Sequence, residues 1–442
     1  MTKLAILVGK VIQKLLRMMH RGGGSTPGLL ALKLDPQLLK HLALPETIVI
    51  VTGTNGKSTV TNLLTRVLQA DGRNVLSNLE GNNLKIGIAS LLLDHASFSG
   101  KVQADALVLE VDELSVPRVM EDITPTHLVI GNLFRDQLDR VGEMETVIRK
   151  VSANLLSYTG TLLLNGDDPN VARFALEAPH AKVAYFGVAK QSQSTAASKE
   201  ASEGRFCPLC KKELVYSYYQ YSHIGRFACV DDGFGTYAIP YLAEVDVIAA
   251  DRPVVFTVAG DSYESAYHSL FALYNETEVI AMASLLGVAA DVIRTTILNF
   301  RMNNGRMEQF TLKNGQICTL NLAKNPTGIN ETLKYMTSSK QDFAFAMVLN
   351  DLDADGQDVS WIYDARFELL DTVHTKFLFA SGTRALDMAL RLQYASLTAP
   401  IAPFDDLDEL ILALTQCQLP VYVIANYTAL QKVRRSLQRG SI

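Results

Sequence analysis

Short apolar runs alternate along the chain with longer stretches in which apolar residues recur every three or four positions. Ile48–Val51, Ala106–Leu109, Leu128–Ile130, Leu162–Leu164 and Val183–Phe186 are such runs, and Val60, Leu63, Leu64, Val67 and Leu68 show the helical spacing. Strand-length runs without a polar face, separated by amphipathic helices, predict a mostly parallel sheet covered on both sides. A polar run from Gln191 to Gly204 breaks the alternation, and a cysteine-bearing segment follows it. A helix is expected over Glu276–Gly287, preceded by Tyr274-Asn275. A second unit opens near Arg301, with strands at Ile317–Leu320, Phe343–Leu349, Phe377–Ala380 and Val421–Ile424. The expected fold class is α/β. A central domain spans 47–300 with a cysteine-ribbon insert at about 205–236, and a Rossmann-like C-terminal α/β domain spans 301–442.

Residues 1–46 carry Leu4–Val8, Val11, Ile12, Leu15 and Leu16 among Lys3, Lys10, Lys14, Arg17 and Arg21, and then a Gly-rich segment. The lysines recur at helical spacing and no small-x-small cleavage site follows, so the pattern predicts an uncleaved amphipathic helix rather than a signal peptide. It fits docking on the protein body or resting on a membrane surface. No stretch reaches the roughly 18–20 apolar residues of a membrane span.

The bulk numbers narrow the function class. A chain of 442 residues exceeds the usual domain size of about 100–200 and suggests two or three domains. A net charge of −5 argues against nucleic acid, so a polyanion site must be local. Five cysteines, three of them clustered, do not make a disulfide framework, and a reducing cytoplasm fits.

Residues 52–59 read Thr52-Gly53-Thr54-Asn55-Gly56-Lys57-Ser58-Thr59, between the first apolar run and the first helical stretch. Glycines let backbone N–H groups curl round an anion, and the helix start adds partial positive charge. Lys57 can reach outer phosphates and Ser58 can hold Mg²⁺. The general phosphate-loop pattern places glycine at position 51, where this chain has Val51, so Gly53 serves a shorter loop. Four further segments stand in order: Glu110-Val111-Asp112-Glu113 at a strand's carboxyl end, Gly131-Asn132 through Asp136-Gln137-Leu138-Asp139, Tyr274-Asn275, and Asn304-Gly305-Arg306-Met307-Glu308.

This series resembles the Mur ligase family, which includes folylpolyglutamate synthase. The resemblance implies that Gly53, Thr54, Asn55, Gly56, Lys57, Ser58, Thr59, Asn275 and Arg306 bind ATP, with Asn275 on adenine. Ser58 and Glu110 would hold Mg²⁺, Glu113 being the other candidate. Three departures point to one branch, the MurT branch of synthetase subunits. Residues 1–46 are too few for the usual first domain, Gln137 stands where many members carry histidine, and the cysteine insert interrupts the central domain. The branch implies amidation of the α-carboxylate of D-glutamate in lipid II to D-isoglutamine through an acyl phosphate. Its partner would be a class I glutaminase subunit, GatD, in a heterodimer at the inner face of the membrane. A stand-alone amino-acid ligase of the Mur or folylpolyglutamate synthase type and a non-catalytic ATP-binding scaffold are the alternatives.

Two clusters remain. Asp351, Asp353, Asp355, Asp358 and Asp364 surround Trp361, and by composition read as Asx-turns and caps or as a calcium loop, though no Glu closes the twelfth position. The resemblance assigns Asp355, with Asp358 as runner-up, to the Cys-His-Asp triad of the glutaminase subunit. Cys207-Pro208-Leu209-Cys210, Cys229 and Asp232 have ribbon spacing with a carboxylate in the fourth place, open to Zn²⁺ or to an empty or oxidised ribbon. His223 is another zinc candidate, and Cys318 and Cys417 are expected in the core.

Overall fold

A computed structural model of the chain describes residues 1–18, 24–78, 83–135, 144–198, 200, 203–248, 252–302, 305–338, 341–370 and 373–441. In chain order the strands are β1 (Thr47–Thr52), β2 (Val75–Ser77), β3 (Ala106–Glu110), β4 (His127–Ile130), β5 (Thr161–Asn165) and β6 (Lys182–Val188). A separate antiparallel hairpin follows, β7 (Val215–Tyr221) and β8 (Ile224–Ala228), before β9 (Tyr241–Glu244), β10 (Val254–Val258) and β11 (Asp261–Ser265). The large sheet has the order β11-β10-β9-β6-β5-β4-β1-β3-β2. It is parallel from β2 to β9, and β10 and β11 form an antiparallel edge. These last three strands extend the sheet beyond the apolar runs. Alternation of covered with more exposed positions in β10 marks a strand with one face on the core and one open to solvent, unlike the central parallel strands.

The strand alternation divides two cores. Val49, Val51 and Val108 face the helices Lys57–Ala70 and Leu270–Leu285, while Ile48, Ile50, Leu107 and Leu109 face the N-terminal helices and Lys85–His95. A strand this apolar is stable only when both faces are covered. The helix Thr2–Met18 supplies part of that cover through Ala5 and Ile6, so it docks on the body with one face. Among the described residues no helix is long and apolar enough to cross a membrane.

The second sheet contains β12 (Glu308–Thr311), β13 (Ile317–Leu322), β14 (Phe343–Val348), β15 (Thr375–Ser381), β16 (Ile401–Phe404) and β17 (Val421–Ala425), ordered β12-β13-β17-β14-β15-β16. All pairs are parallel except β12 with β13. Phe343, Phe345 and Met347 of β14 enter one core, and Ala344, Ala346 and Val348 the other. Cys318 is buried in β13, but Cys417 is only partly covered where it ends the helix Leu407–Gln416. Tyr274-Asn275 also departs from expectation. It lies inside the helix Leu270–Leu285, which starts early because the Ser269 side chain accepts from Ala272 N–H.

Candidate nucleotide and ligase site

The loop after β1 is held from the end of β4. Thr54 N–H donates to the Asn132 carbonyl at 2.8 Å, Asn55 N–H to Asn132 Oδ1 at 2.9 Å, and Asn132 Nδ2 to the Asn55 carbonyl at 3.0 Å. Thr54 Oγ1 also accepts from Phe134 N–H at 3.0 Å. Gly53 and Gly56 both have positive φ, +138° and +87°, and a Cβ on Gly56 would lie 2.3 Å from Asn275 Oδ1. Glycine is required there twice over, for the left-handed backbone and for the approach of Asn275. Lys57 starts the following helix, and Ser58 and Thr59 lie in its first turn.

Lys57 Nζ donates to the carbonyls of Gly53 and Thr54 and lies 3.2 Å from Glu113 Oε2. Burial pulls its pKa down, but the carboxylates of Glu113, Glu110 and Asp112 outweigh that, and the net shift is upward. The ammonium therefore stays charged. Glu110 ends β3 and is 6 % exposed, and its backbone is fixed by reciprocal bonds with the Asn78 side chain at 2.8 Å. Its carboxylate has a contact of only 3.5 Å with Asn83 Nδ2, which leaves an acid at the loop available to a cation. Arg306 comes from the chain between the two sheets. Burial lowers its pKa and Glu110 acts in the opposite direction, so the two side chains are electrostatically coupled.

Beside these parts is a cavity lined by Asn55, Gly56, Thr59, Asn132, Asn275 and Arg306, with Phe271, Tyr274 and Glu278 on the same side as Asn275. Asn321, Thr327, Gly328, Glu331 and Thr332 line it from the second sheet and its first helix. Asn325, which caps that helix by accepting from Gly328 N–H, donates to Asn55 Oδ1 at 3.0 Å. A pocket with aromatic walls and a few convergent polar groups between two α/β units suits a nucleotide.

In the insert Cys207, Cys210, Cys229 and Asp232 place their ligand atoms within 4.8 Å of one another. Cys207 Sγ lies 3.0 Å from Asp232 Oδ2 and Cys210 Sγ 3.4 Å from Cys229 Sγ, and all the cysteines are free thiols. Three sulfurs and one carboxylate at these separations match a tetrahedral zinc shell, with metal bonds of about 2.0–2.3 Å. His223 is not part of it. Its Nε2 lies 3.2 Å from Asp168 Oδ1, and its ring packs 4.8 Å from Phe134.

The acidic loop does not converge. Asp351 accepts from Thr383 Oγ1 at 2.7 Å, while Asp358 accepts from Ser360 N–H at 2.8 Å in an Asx-turn. Asp355 is 2 % exposed and accepts from both the backbone N–H and the hydroxyl of Thr428, at the start of the helix Tyr427–Gly440. Among the described residues only the cysteine group has metal-ligand spacing, so the calcium reading fails because the carboxylates point to different neighbours.

Comparison with known proteins places this geometry in a family. Residues 51–228 match the Mur ligase middle domain, and residues 322–430 match the MurT ligase C-terminal domain. The lipid II isoglutaminyl synthase (glutamine-hydrolyzing) subunit MurT of Staphylococcus aureus (strain COL) is 32% identical over 99% of this chain and 98% of its own length. The chain belongs to the MurT family of Mur ligases. The subunit of the same name from Streptococcus pneumoniae (strain ATCC BAA-255 / R6) is 32% identical over 100% of this chain and 98% of its own. Among solved structures, a pseudomurein peptide ligase type C from Methanothermus fervidus superposes with a TM-score of 0.69 at 19% identity, over 93% of this chain and 84% of that one. That likeness concerns the fold.

Of the residues expected at a nucleotide site in this MurT-family chain, Asn55, Gly56, Thr59, Asn275 and Arg306 line the cavity. Gly53, Thr54, Lys57 and Glu110 do not line it: Lys57 bonds to the carbonyls of Gly53 and Thr54, and Glu110 acts on Lys57 electrostatically. Asp136-Gln137-Leu138-Asp139 and Asn304 lie outside the described residues. Asn132, from the segment that follows the apolar run Leu128–Ile130, and Asn325 clamp the loop from two sides, a role that their place in the sequence does not show. A lone asparagine after a strand or before a helix carries no pattern that distinguishes a clamp from a turn.

Proposed function

We propose that this chain is the ATP-dependent synthetase half of a glutamine-hydrolysing lipid II isoglutaminyl synthase. Full-length similarity to chains so named carries the reading, and the cavity joining the phosphate loop to the second sheet supports it. Lys57 neutralises the outer phosphates, which take over the bonds it now makes to loop carbonyls, and Asn275 and Arg306 hold base and phosphate. Mg²⁺ held by Ser58 and Glu110 would spread the charge of the transferred phosphoryl group. The terminal phosphoryl of ATP passes to an oxygen of the D-glutamate α-carboxylate, leaving ADP. Ammonia then attacks the carbonyl carbon, phosphate departs with the C–O electron pair, and a proton is released as the amide of D-isoglutamine forms. A carboxylate is a poor electrophile, so this activation is what ATP supplies.

The ammonia comes from a partner. The five cysteines lie in the insert, in β13 and after the helix Leu407–Gln416, none of them at a strand-to-helix nucleophile elbow. The partner is a class I glutaminase, GatD, docking by the C-terminal sheet, with Asp355 lent to its triad and Asp358 as the other candidate. Exposed Tyr363, Leu386, Leu390 and Tyr394 beside that loop support a protein interface, and the Tyr363 and Tyr394 rings lie 6.3 Å apart. The cysteine–aspartate group holds Zn²⁺, and the complex works at the cytoplasmic face of the membrane on lipid II.

Phosphate release tests the reading directly. Release is expected only with lipid II together with ammonium, or with glutamine plus the partner. Release driven by an amino acid in place of ammonium would make the chain a stand-alone ligase, and no release under any combination would leave a scaffold. Either result overturns the proposal.

A further inference from the structure

The helix Thr2–Met18 has three faces. Ala5, Ile6, Gly9 and Gln13 are buried against the body, where Gln13 Nε2 donates to the Ser90 carbonyl at 2.7 Å. On the opposite side Leu4, Leu7, Val11, Leu15 and Met18, spaced by three or four residues, form an unbroken stripe, each 46–62% exposed. At 100° per residue, Lys3, Lys10, Lys14 and Arg17 fall along one flank between these faces. The acids facing this flank are few: Asp94 takes Arg17 at its carboxylate and Lys10 at its carbonyl, and Asp35 is engaged by Thr2 and His41. Among the described residues, Lys3 and Lys14 form no ion pair. Residues 1–34 contain six Lys or Arg and no Asp or Glu, in a chain whose net charge is −5.

We propose that this helix seats the protein on an anionic lipid bilayer, with the Leu4–Met18 stripe at the boundary of headgroups and acyl chains and the lysine flank on the acidic headgroups. An exposed apolar row along a surface helix marks an interaction site, and a straight row of about 21 Å suits a flat surface. The local excess of positive charge in an otherwise acidic chain is complementary to such a surface. The buried face fixes the helix to the sheet, so the seat also fixes the orientation of the whole chain. This goes beyond the ligase chemistry and does not depend on it, since vesicle binding is read without turnover.

The test uses the full chain, sedimented with phosphatidylglycerol–phosphatidylcholine vesicles and with phosphatidylcholine alone. The anionic vesicles are expected to bind at least about tenfold more protein, an excess that high salt removes. Leu7→Glu/Val11→Glu should abolish binding, and Lys3→Glu/Lys14→Glu should abolish the anionic preference, both with unchanged melting because the positions are exposed. A parent chain that stays in the supernatant with anionic vesicles at low salt overturns the proposal. So does a Leu7→Glu/Val11→Glu variant that binds like the parent. Light scattering that shows a dimer split by that variant, or a stripe protected only in the glutaminase complex, without vesicle binding, would assign it to a protein instead.

Discussion

Around the phosphate loop, Lys57, Glu110, Glu113 and Arg306 come from distant parts of the sequence and act on one another electrostatically, whereas the aspartates between Asp351 and Asp364 turn to different neighbours. Both regions follow parallel strands and both are rich in charge. They differ in what opposes the charge. Two cations answer the carboxylates at the loop, while Asp355 and Asp358 are met by backbone N–H groups and a hydroxyl, and Asp351 alone of these three pairs with a cation, Arg384 at 3.4 Å. Charge density along a sequence therefore does not locate a site. Convergence of opposite charges from separate segments does.

The largest effect should come from Lys57→Ala. Removing the cation takes away the partner of Glu113 and one of the two cations that answer Glu110, next to the incoming phosphates, and amidation should fall by about 100-fold or more. Measured with ammonium and lipid II, a rate above a tenth of the parental value would break the assignment of this region to phosphoryl transfer. Lys57 is itself buried, so a melting curve must accompany the rate.

Asp355→Asn tests the other half of the comparison. If Asp355 orients the partner's histidine, glutamine-driven amidation should drop at least tenfold while ammonium-driven amidation stays within about twofold, because the phosphate loop is untouched. In this chain, however, Asp355 also caps the helix Tyr427–Gly440, so a loss of about 0.5–2 kcal/mol in stability is expected as well. Equal loss with both nitrogen sources would leave only the cap, and loss confined to Asp358→Asn would move the donated carboxylate to the exposed Asx-turn.

The phosphate loop was legible because its strand, glycines, lysine and helix are contiguous and each has a local physical cause. The zinc-type ligand set was legible from spacing for the same reason. What escaped was tertiary: Asn132 and Asn325 act on residues 77 and 270 positions away, and the burial of Asp355 depends on Thr428, 73 positions on. The strands β9–β11 escaped because exposed or half-covered positions interrupt their apolar pattern. His223 looked like a ligand and proved to be a buried partner of Asp168.

A smaller effect is expected in the insert, the one place among the described residues where a carboxylate joins thiols at metal-ligand spacing. Protein purified without added metal should carry about one zinc per chain, and Asp232→Cys should tighten retention against a chelator by roughly tenfold as a soft ligand replaces a hard one. Zinc near zero in the parent, with no gain in Asp232→Cys, would make the cluster a packing feature, and neither outcome should alter phosphate release.

The smallest effect concerns a carboxyl that no cation answers. Glu276 lies in the same helix as Asn275, fully buried, with Ser265 Oγ donating to one oxygen and no partner on the other. Burial pushes its pKa from 4.5 up to about 8, with the Ser265 bond opposing. The folded state therefore keeps a proton that the unfolded chain loses above about 4.5, so stability falls as pH rises from there to about 8. Glu276→Gln mimics the protonated form and removes that loss. Its melting temperature should match the parent near the acid end of the window and exceed it by a few degrees at the alkaline end. A gap that does not widen with pH would mean that this carboxyl, like those at the phosphate loop, has its charge answered in the folded protein, and the contrast between paired and unpaired regions would not extend into the helix.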